Sequence, residues 1–417
     1  MNLKKADGKI YKLIEAEKKR QSDGLEMIAA ENYVSEAVLE ADGSILTNKY
    51  AEGYPGHKYY GGCEITDQIE NLAIDRLKKL FGCKFANVQP HSGSSANMAA
   101  YMAIIQPGDK ILGQAMDAGG HLTHGAKVSF SGKIYKSFSY GLNSKTGLLD
   151  YDEIAKIASK VKPDVIMCGY SAYPRAIDFK KFKKIAKSVN AYLIADIAHI
   201  AGLVATGYHQ SPIGIADIVT STTHKTLRGP RSGMIMTNDE ELAKKINRSI
   251  FPGIQGGPLV HIIAAKAVAF GEDLKPSFKK YIGQVLENMK IFAATLMSYD
   301  FDLISGGTDN HLILVDLQNK KITGQEFSDV LGKAGITVNK NGVPNDPLPP
   351  QTSSGIRVGT AALTTRGMGK KEMQRIAEMF NLACVNKDDD RELAKIRQEV
   401  KAMCKKFIVP GILRGSK

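Results

Sequence analysis

An alternation of helix-like and strand-like segments in the middle of the chain most constrains its fold. Residues 154–161 and 179–189 carry apolar side chains at helical spacing. Short apolar runs typical of buried strands lie between and after them, at 164–168, 191–195, 213–220 and 233–236. This order predicts an α/β fold in which a mainly parallel sheet is sandwiched by helices. In such sheets, ligands bind at the carboxyl ends of the strands.

The pattern changes towards both ends of the 417-residue chain, which is 43% hydrophobic and can bury more than one core. We predict an N-terminal helix and extended arm at residues 1–62 and a large α/β domain at 63–275. A smaller α+β C-terminal domain is expected at 276–417. It begins with a long helix at 278–297 and contains a loop rich in Pro and Asn at 339–352.

The net charge of +13 bears on the choice of partners. A basic surface can bind nucleic acid. However, 44 of the 56 basic residues are lysines, spread along the chain in pairs such as Lys180–Lys181 and Lys244–Lys245. Such pairs are typical of solvated helix faces. We therefore expect no nucleic-acid partner, although the field would attract an anionic substrate or cofactor.

Composition also bears on location. No stretch approaches the roughly 20 apolar residues that a membrane span needs, and the polar start carries Asp7, Glu15 and Glu17, unlike a secretory signal or transit peptide. The five cysteines are odd in number and dispersed, which is typical of reduced thiols rather than disulfides or a metal site. We expect a cytoplasmic protein with no membrane partner and no metal.

Residues 220–231 form a segment of hydroxyl and basic side chains directly after an apolar run. Lys225 would therefore lie on the loop at the carboxyl end of a strand. A free lysine amine titrates at about 10.4, too high for a good nucleophile at neutral pH. Nearby His224, Arg228 and Arg231 could depress that pKa and suit Lys225 to forming a Schiff base. A lysine on a solvated turn is the simpler interpretation of any single residue.

Asp196 ends the apolar run at 191–195, so its carboxylate would emerge at the same sheet edge as Lys225. A buried acid without a partner is costly, and a protonated pyridine nitrogen is a suitable partner. His199, three residues later, would lie on the same side of a helical turn. An acid at this place is otherwise a common helix cap or turn former.

Ser92, Gly93 and Ser94 precede the apolar stretch 98–105. Small hydroxylated residues that open a helix present free backbone N–H groups and the positive end of the helix dipole, which suits a phosphate. A simple serine cap would need only one hydroxyl. The three serines around Gly93, which are Ser92, Ser94 and Ser95, therefore favour an anion site.

Three further segments carry less specific signals. His121 and His124 lie in a Gly-rich loop, but no acid or cysteine cluster completes a zinc site there. Arg357 lies in a turn of small residues and could bind a carboxylate through two parallel hydrogen bonds, although a surface ion pair would explain it equally well. The loop 50–62 is rich in tyrosine, glycine and proline, which indicates an interface or binding surface.

Together these segments resemble the serine hydroxymethyltransferase family over nearly the full length of the chain. The resemblance is carried by Ala30–Tyr33, the loop 50–62, the Gly-Gly-His-Leu-Thr-His-Gly segment at 119–125 and the Thr-Thr-His-Lys-Thr-Leu-Arg-Gly-Pro-Arg segment at 222–231. It implies the fold of type I pyridoxal-phosphate enzymes. It also implies reversible transfer of the serine hydroxymethyl carbon to tetrahydrofolate, giving glycine and 5,10-methylenetetrahydrofolate through a stabilised Cα carbanion.

The resemblance further implies a pyridoxal 5′-phosphate cofactor covalently bound to Lys225. Asp196 would pair with its pyridine nitrogen, His199 would approach the ring hydroxyl, and His121 would stack on the ring. The other implied cofactor-binding residues are Ser92, Gly93, Ser94, Ser171, Tyr50, Gly256 and Gly257, the last two from a partner subunit.

Serine or glycine would be held through its carboxylate by Arg357 with Ser35 and Tyr60. Glu52 is the implied proton-handling residue, and His224 resembles a position associated with substrate choice. Tyr50, Glu52 and Tyr60 would come from the neighbouring subunit. This makes a homodimer with shared active sites the minimal active unit, and pairing of dimers into a tetramer is left open.

Tetrahydrofolate is the implied co-substrate. Its contacts would include Met116, Gly120, His121, Leu122, Glu240, Asn341, Pro349, Pro350 and Gln351. Two positions depart from the family pattern. Met116 stands where a leucine is usual, and Pro349-Pro350-Gln351 stand where Ser-Pro-Phe is common. The loss of that aromatic residue removes a contact that the resemblance implies on the pterin side of the folate site.

Two alternatives stay open from the sequence. A pyridoxal enzyme of the same fold could be a threonine-type aldolase or an aminotransferase, and an aldolase would cleave its substrate without folate. A basic RNA-binding protein on a degenerate enzyme scaffold is disfavoured, because Lys225, Asp196, His121 and Arg357 are all present.

Overall fold

The computed structural model describes residues 2–412. Its α-helices, in chain order, are α1 (Asn2–Ala6), α2 (Gly8–Asp23), α3 (Glu36–Asp42), α4 (Glu64–Phe81), α5 (Gly93–Met102), α6 (Phe130–Ile134), α7 (Tyr151–Val161), α8 (Phe179–Ser188), α9 (Ala201–Thr206), α10 (Glu240–Arg248), α11 (Val260–Asp273), α12 (Pro276–Ser298), α13 (Gly324–Lys333), α14 (Ala361–Thr365), α15 (Lys370–Val385) and α16 (Asp390–Lys406).

The strands, in chain order, are β1 (Leu25–Glu26), β2 (Gly53–Tyr54), β3 (His57–Lys58), β4 (Phe85–Asn87), β5 (Lys110–Gln114), β6 (Lys136–Tyr140), β7 (Val165–Cys168), β8 (Tyr192–Asp196), β9 (Ile218–Thr222), β10 (Gly233–Thr237), β11 (Asp302–Leu303), β12 (Leu312–Asp316), β13 (Ile336–Thr337), β14 (Asn339–Asn341) and β15 (Gly355–Gly359).

A seven-stranded sheet in the order β4-β10-β9-β8-β7-β5-β6 confirms the predicted fold class. Neighbouring strands from β9 to β6 are parallel, whereas β10 is antiparallel to both β9 and β4. The reversal at β10 has a simple cause. Only a short loop joins β9 to β10, and a parallel return needs a crossover of a dozen or more residues.

Alternate side chains of the central strands enter two hydrophobic cores, one on each face of the sheet. Leu193 of β8 and Val219 of β9 belong to one core, whereas Ile194 and Ile218 belong to the other. Successive strand residues point to opposite faces. Both faces are therefore covered, which explains why these strands are continuous apolar runs in the sequence.

A four-stranded antiparallel sheet, β11-β12-β15-β14, forms a further core with α12, α13, α15 and α16. The long helix expected at 278–297 is α12, with Pro276 in its first turn, where the missing N–H is tolerated. The N-terminal segment joins this region, because Leu25 of β1 pairs with Ile336 of β13 and is fully buried. Within residues 2–412, no helix combines the length and apolar character needed to cross a membrane.

Candidate active site

A cavity of about 420 Å³ lies beyond the carboxyl ends of β7, β8 and β9 and beside the start of α5. This is the sheet edge at which an α/β fold is expected to bind ligands. The structure brings these sequence-predicted residues into its lining: Ser92, Gly93, Ser94, His121, Ser171, Asp196, His199, His224, Lys225 and Arg357.

Lys225 follows β9 by three residues, and its Nζ lies 3.3 Å from the Thr222 hydroxyl. Burial lowers the pKa of Lys225 to about 8. Asp196 opposes this shift, while Arg357 and Arg231 add to it. A larger share of the amine is therefore neutral near physiological pH than in a free lysine, which is the form that attacks an aldehyde.

Asp196 is the last residue of β8, and three donors hold its carboxylate. Oδ2 accepts hydrogen bonds from Asn97 Nδ2 at 2.8 Å and His124 Nε2 at 3.2 Å, and Oδ1 accepts from the Ala198 amide at 3.0 Å. Burial raises the pKa of Asp196, but the bonds from His124 and Asn97 outweigh it and hold the pKa below its usual range. The site therefore presents an ionised carboxylate suited to a protonated ring nitrogen.

The start of α5 forms an anion cradle. Ser92 caps the helix by accepting a hydrogen bond from the Ser95 amide at 3.1 Å. A Cβ on Gly93 would lie 2.6 Å from Thr222 Cγ2, and a Cβ on Gly233 would overlap the Ser92 carbonyl oxygen. Only glycine therefore allows the end of β9 and the start of β10 to pack this closely against the helix start, where free N–H groups favour a phosphate.

Three of the cavity histidines, His121, His199 and His224, are held largely neutral. Burial lowers the pKa of His121 to about 4 and that of His224 to about 3. Burial likewise lowers the pKa of His199, whose ring stacks on His311 at a centroid distance of 5.5 Å. His121 Nδ1 lies 2.7 Å from the Thr123 hydroxyl, which fixes its ring. Neutral rings suit stacking and hydrogen bonding rather than charge pairing.

Arg357 reaches the cavity from β15 and ties the four-stranded sheet to the large one. Its Nη1 donates to the Ser171 carbonyl at 2.7 Å, and its Nε donates to Asn339 Oδ1 at 3.2 Å. Burial lowers the pKa of Arg357 to about 10, so the guanidinium remains charged at neutral pH. A buried cation facing the cavity is a strong binding group for a substrate carboxylate.

Another group of predicted residues lies together outside the cavity lining. We call Tyr50, Glu52, Tyr60, Gly256 and Gly257 the arm cluster. The Tyr50 hydroxyl lies 3.3 Å from Glu52 Oε1, and the Tyr50 and Tyr60 rings meet edge to face at 5.1 Å. A Cβ on Gly256 would lie 3.0 Å from Glu52 Oε1. Tyr50 and Tyr60 are 55% and 47% exposed.

Ser35 also lies outside the cavity lining. Its hydroxyl caps α3 by accepting a hydrogen bond from the Val38 amide, and it donates to Glu272 Oε1 at 2.7 Å. The nearby residues that do line the cavity are Ala30 and Glu31. A substrate contact by Ser35 would need these hydrogen bonds to rearrange.

Of the residues predicted for folate, only His121 lines the cavity. Met116 and Leu122 are about half exposed, and Gly120 adjoins His121 in the chain. Glu240 starts α10 and pairs with Lys244 Nζ at 3.1 Å. The remaining predicted positions are Asn341 at the end of β14 and the exposed Pro349, Pro350 and Gln351.

Sequence reasoning missed several residues that shape the site. Asn97 lies four residues after Gly93, on the same face of α5, and its Oδ1 accepts a hydrogen bond from Thr220 at 2.6 Å. The Thr222 hydroxyl lies 3.3 Å from Lys225 Nζ. Lys266 is fully buried in α11, and its Nζ donates to the carbonyls of Val88, Pro90 and Gly233 beneath the anion cradle. The sequence signal that could have identified Lys266 is a single lysine within an otherwise apolar helix.

Comparison with known proteins agrees with the geometry. The profile of the serine hydroxymethyltransferase family matches residues 3–380. A serine hydroxymethyltransferase of a Nitratiruptor species is 58% identical over 407 residues, which cover 98% of each chain. Those of Legionella pneumophila strains Corby and Paris are 55% and 54% identical, also over 98% of each chain.

The chain belongs to the serine hydroxymethyltransferase family. The resemblance seen in the sequence is thereby confirmed, and the protein is a transferase. Enzymes of this family use pyridoxal phosphate and tetrahydrofolate. The cavity described above fits the first of these. It joins a lysine of lowered pKa, an ionised buried aspartate and a helix start that is open because of Gly93 and Gly233.

Proposed function

We propose that this chain reversibly transfers the hydroxymethyl carbon of serine to tetrahydrofolate, giving glycine and 5,10-methylenetetrahydrofolate, with pyridoxal 5′-phosphate bound in the cavity. One observation carries the proposal. The Lys225 amine and the Asp196 carboxylate line the same cavity, next to the anion cradle of α5. When bound, pyridoxal phosphate supplies an electron sink for the charge that develops at Cα.

Each cavity residue has a defined part in holding the cofactor. Lys225 would hold it through a covalent bond. The Asp196 carboxylate would pair with the ring nitrogen, and the helix start at Ser92, Gly93 and Ser94 would bind the phosphate. His121, His199 and Ser171 would supply the remaining contacts, His121 by stacking on the ring and His199 at its hydroxyl.

Arg357 holds the substrate carboxylate, with Tyr60 and Ser35 as further contacts. Fixing the carboxylate orients the Cα–Cβ bond of serine relative to the cofactor ring. Orientation of reacting groups can supply about 7–11 kcal/mol of the barrier in favourable cases. His224, whose Nδ1 has no hydrogen-bond partner among residues 2–412, adjoins Lys225 and lines the same cavity.

The active unit is a homodimer in which the arm cluster of one subunit completes the cavity of the other. Tyr50, Gly256 and Gly257 would then contact the cofactor, the two glycines at its phosphate, and Glu52 would handle a proton at the serine hydroxyl or at the one-carbon transfer step. The exposure of Tyr50 and Tyr60 and their absence from the cavity lining of their own chain support this arrangement. We leave the pairing of dimers into a tetramer open.

Mixing two inactive variants tests the shared site. Glu52→Gln and Lys225→Ala homodimers are exchanged to form hybrids. A hybrid contains one cavity with Lys225 from the first subunit and Glu52 from the second, so about half of the wild-type activity per hybrid is expected. If each cavity used Glu52 of its own chain, no hybrid would be active.

Tetrahydrofolate is the expected acceptor, bound next to His121 by Met116, Gly120 and Leu122. Further proposed contacts come from Glu240, Asn341, Pro349, Pro350 and Gln351.

The assay that decides between transfer and simple aldol cleavage measures serine cleavage with and without tetrahydrofolate. Strong stimulation by folate supports the proposal, whereas an equal rate without folate would identify an aldolase.

A further inference from the structure

Glu70 is a buried acid that the mechanism above does not use. It lies in the middle of α4, outside the cavity lining, and its side chain is 3% exposed. A carboxylate in such a place is costly unless charged and polar partners hold it. Both of its oxygens have such partners, since Oε2 accepts from Lys58 Nζ at 2.7 Å and Oε1 accepts from Gln89 Nε2 at 2.7 Å.

The Lys58 side of this network holds the backbone around Glu52. Besides Glu70, Lys58 Nζ donates to the Ala51 carbonyl at 3.2 Å and the Gly53 carbonyl at 3.1 Å, which flank Glu52. The Lys58 side chain is only 4% exposed. One buried ammonium thus fixes the chain on both sides of the acid in the arm cluster.

The Gln89 side holds the segment 88–94, which we call the phosphate-binding loop. Gln89 Nε2 also donates to the Gly53 carbonyl at 2.9 Å, so one amide group contacts both Glu70 and the arm. The Gln89 carbonyl accepts from Gln255 Nε2 at 2.9 Å, and Gln255 Oε1 accepts from the His91 amide at 3.0 Å. Gln255 directly precedes Gly256 of the arm cluster, and His91 directly precedes Ser92.

We infer that Glu70 is a positioning residue that fixes the arm cluster and the phosphate-binding loop relative to each other, a role that rests on the function proposed above. In the proposed homodimer, the phosphate-binding loop serves its own cavity and the arm cluster serves the cavity of the partner subunit. Glu70 therefore lies between parts of two active sites. Loss of its charge acts on cofactor binding in one cavity and on serine binding in the other.

The test compares Glu70→Gln with Asp217→Asn, a matched control. Asp217 is a partly buried carboxylate that, like Glu70, is bound by a lysine: Lys183 Nζ contacts its two oxygens at 2.6 and 2.7 Å, and the Leu193 amide donates to it. It precedes β9, at the end of the sheet opposite the cavity. Both variants should lower Tm, but only Glu70→Gln should change the arm and the loop.

Amide hydrogen exchange of the cofactor-free protein is the first readout, because it does not depend on activity. In Glu70→Gln, the amides of 51–60 and of 88–94 should both exchange about tenfold faster, as expected when one hydrogen bond to a charged group is lost. In Asp217→Asn, both segments should match the wild type. Faster exchange in neither segment, or in only one, would overturn the inference.

Kinetics provides the second readout. Glu70→Gln should raise the Kd for pyridoxal phosphate and the KM for serine by about tenfold each. The double variant Lys58→Met/Glu70→Gln removes both buried charges, so its Tm should recover while the KM stays raised. Recovery of both quantities would mean that Glu70 only balances a charge.

A second variant and a cofactor-free measurement cover the cases in which Glu70→Gln does not fold or pyridoxal phosphate does not bind. Should Glu70→Gln not fold, Gln89→Met removes the loop side of the network and leaves Glu70 paired with Lys58, so no buried charge loses its charged partner, and it should loosen the same two segments. Should the wild type bind no pyridoxal phosphate, the proposed function fails. The exchange experiment on the cofactor-free protein would still decide whether Glu70 couples the two segments.

Discussion

His124 Nε2 lies 3.2 Å from Asp196 Oδ2, the same oxygen that accepts a hydrogen bond from Asn97. Among the interactions that keep the pKa of this buried aspartate low against the opposing effect of burial, the bond from His124 is the strongest. His124→Ala should therefore raise the pKa of Asp196 and weaken the pairing of its carboxylate with the cofactor ring. We expect the Kd for pyridoxal phosphate to rise about 10–100-fold, equivalent to the 1.5–3 kcal/mol of a charged hydrogen bond.

Absorbance titration of the cofactor-free protein measures this affinity. His209→Ala is the matched control, because His209 is also buried and hydrogen-bonded, to the Ile177 amide at 3.0 Å, but lies outside the cavity lining. The control should lose stability and keep its affinity. An unchanged affinity in His124→Ala would show that the histidine does not support Asp196.

The lowered pKa of Lys225 gives a pH prediction for the cofactor-free protein. Only the neutral amine attacks an aldehyde. The rate of labelling of Lys225 by pyridoxal should therefore rise with pH and level off above about 8, the pKa to which burial lowers it. Peptide mass spectrometry after reduction follows this one site among the lysines. A rate that keeps rising towards the ordinary lysine pKa of about 10.4 would contradict the assignment.

Arg357→Lys tests the substrate carboxylate site. Lysine keeps the charge but lacks the planar pair of N–H donors that match a carboxylate. We expect the KM for serine to rise about 10–100-fold, with a smaller change in kcat, because charged hydrogen bonds contribute about 1.5–3 kcal/mol. Steady-state kinetics at saturating folate measures both.

Arg175→Lys is the control for Arg357. Arg175, which follows β7, also links the seven-stranded sheet to the four-stranded one. Its Nη1 donates to Asp309 Oδ1 at 3.0 Å and its Nε donates to Ser305 Oγ at 3.1 Å, both between β11 and β12. It lies outside the cavity lining. Its variant should keep the wild-type KM. Equal KM changes in both variants would indicate an effect on domain packing instead of carboxylate binding.

Gly233→Ala tests the close packing of the anion cradle. The new Cβ would overlap the Ser92 carbonyl oxygen and push the start of α5 outwards. We expect a loss of about 1–3 kcal/mol in the free energy of unfolding, as for other overpacked sites, together with weaker phosphate binding. Gly141→Ala, where a Cβ meets nothing within 4 Å, should change neither quantity. Unaltered cofactor affinity in Gly233→Ala would argue against the cradle.

The sequence predicted the sheet and the meeting of Lys225 with Asp196 because these features follow from local patterns. Apolar runs mark β8 and β9, both strands are parallel, and residues just after parallel strands share one edge of the sheet. The pairing of Asp196 with Thr220 in the register explains why Lys225, a few residues further on, faces the same cavity.

What the sequence could not predict depends on contacts between distant residues. The bond from Asn97 to Asp196 spans 99 positions, and the bonds of Lys266 to the strand ends span up to 178. Nothing in local spacing reports such pairs. The same holds for Ser35, whose hydroxyl caps α3 and donates to Glu272, 237 positions away, a contact that local spacing does not report.

Trapping the lysine that binds the cofactor tests the central claim most directly. The protein is incubated with pyridoxal 5′-phosphate, reduced with borohydride and digested, and the modified peptides are identified by mass. We predict one modified peptide, with the reduced pyridoxyl group on Lys225, and its disappearance in Lys225→Ala. Specific modification of another lysine, or none at Lys225, would contradict the account.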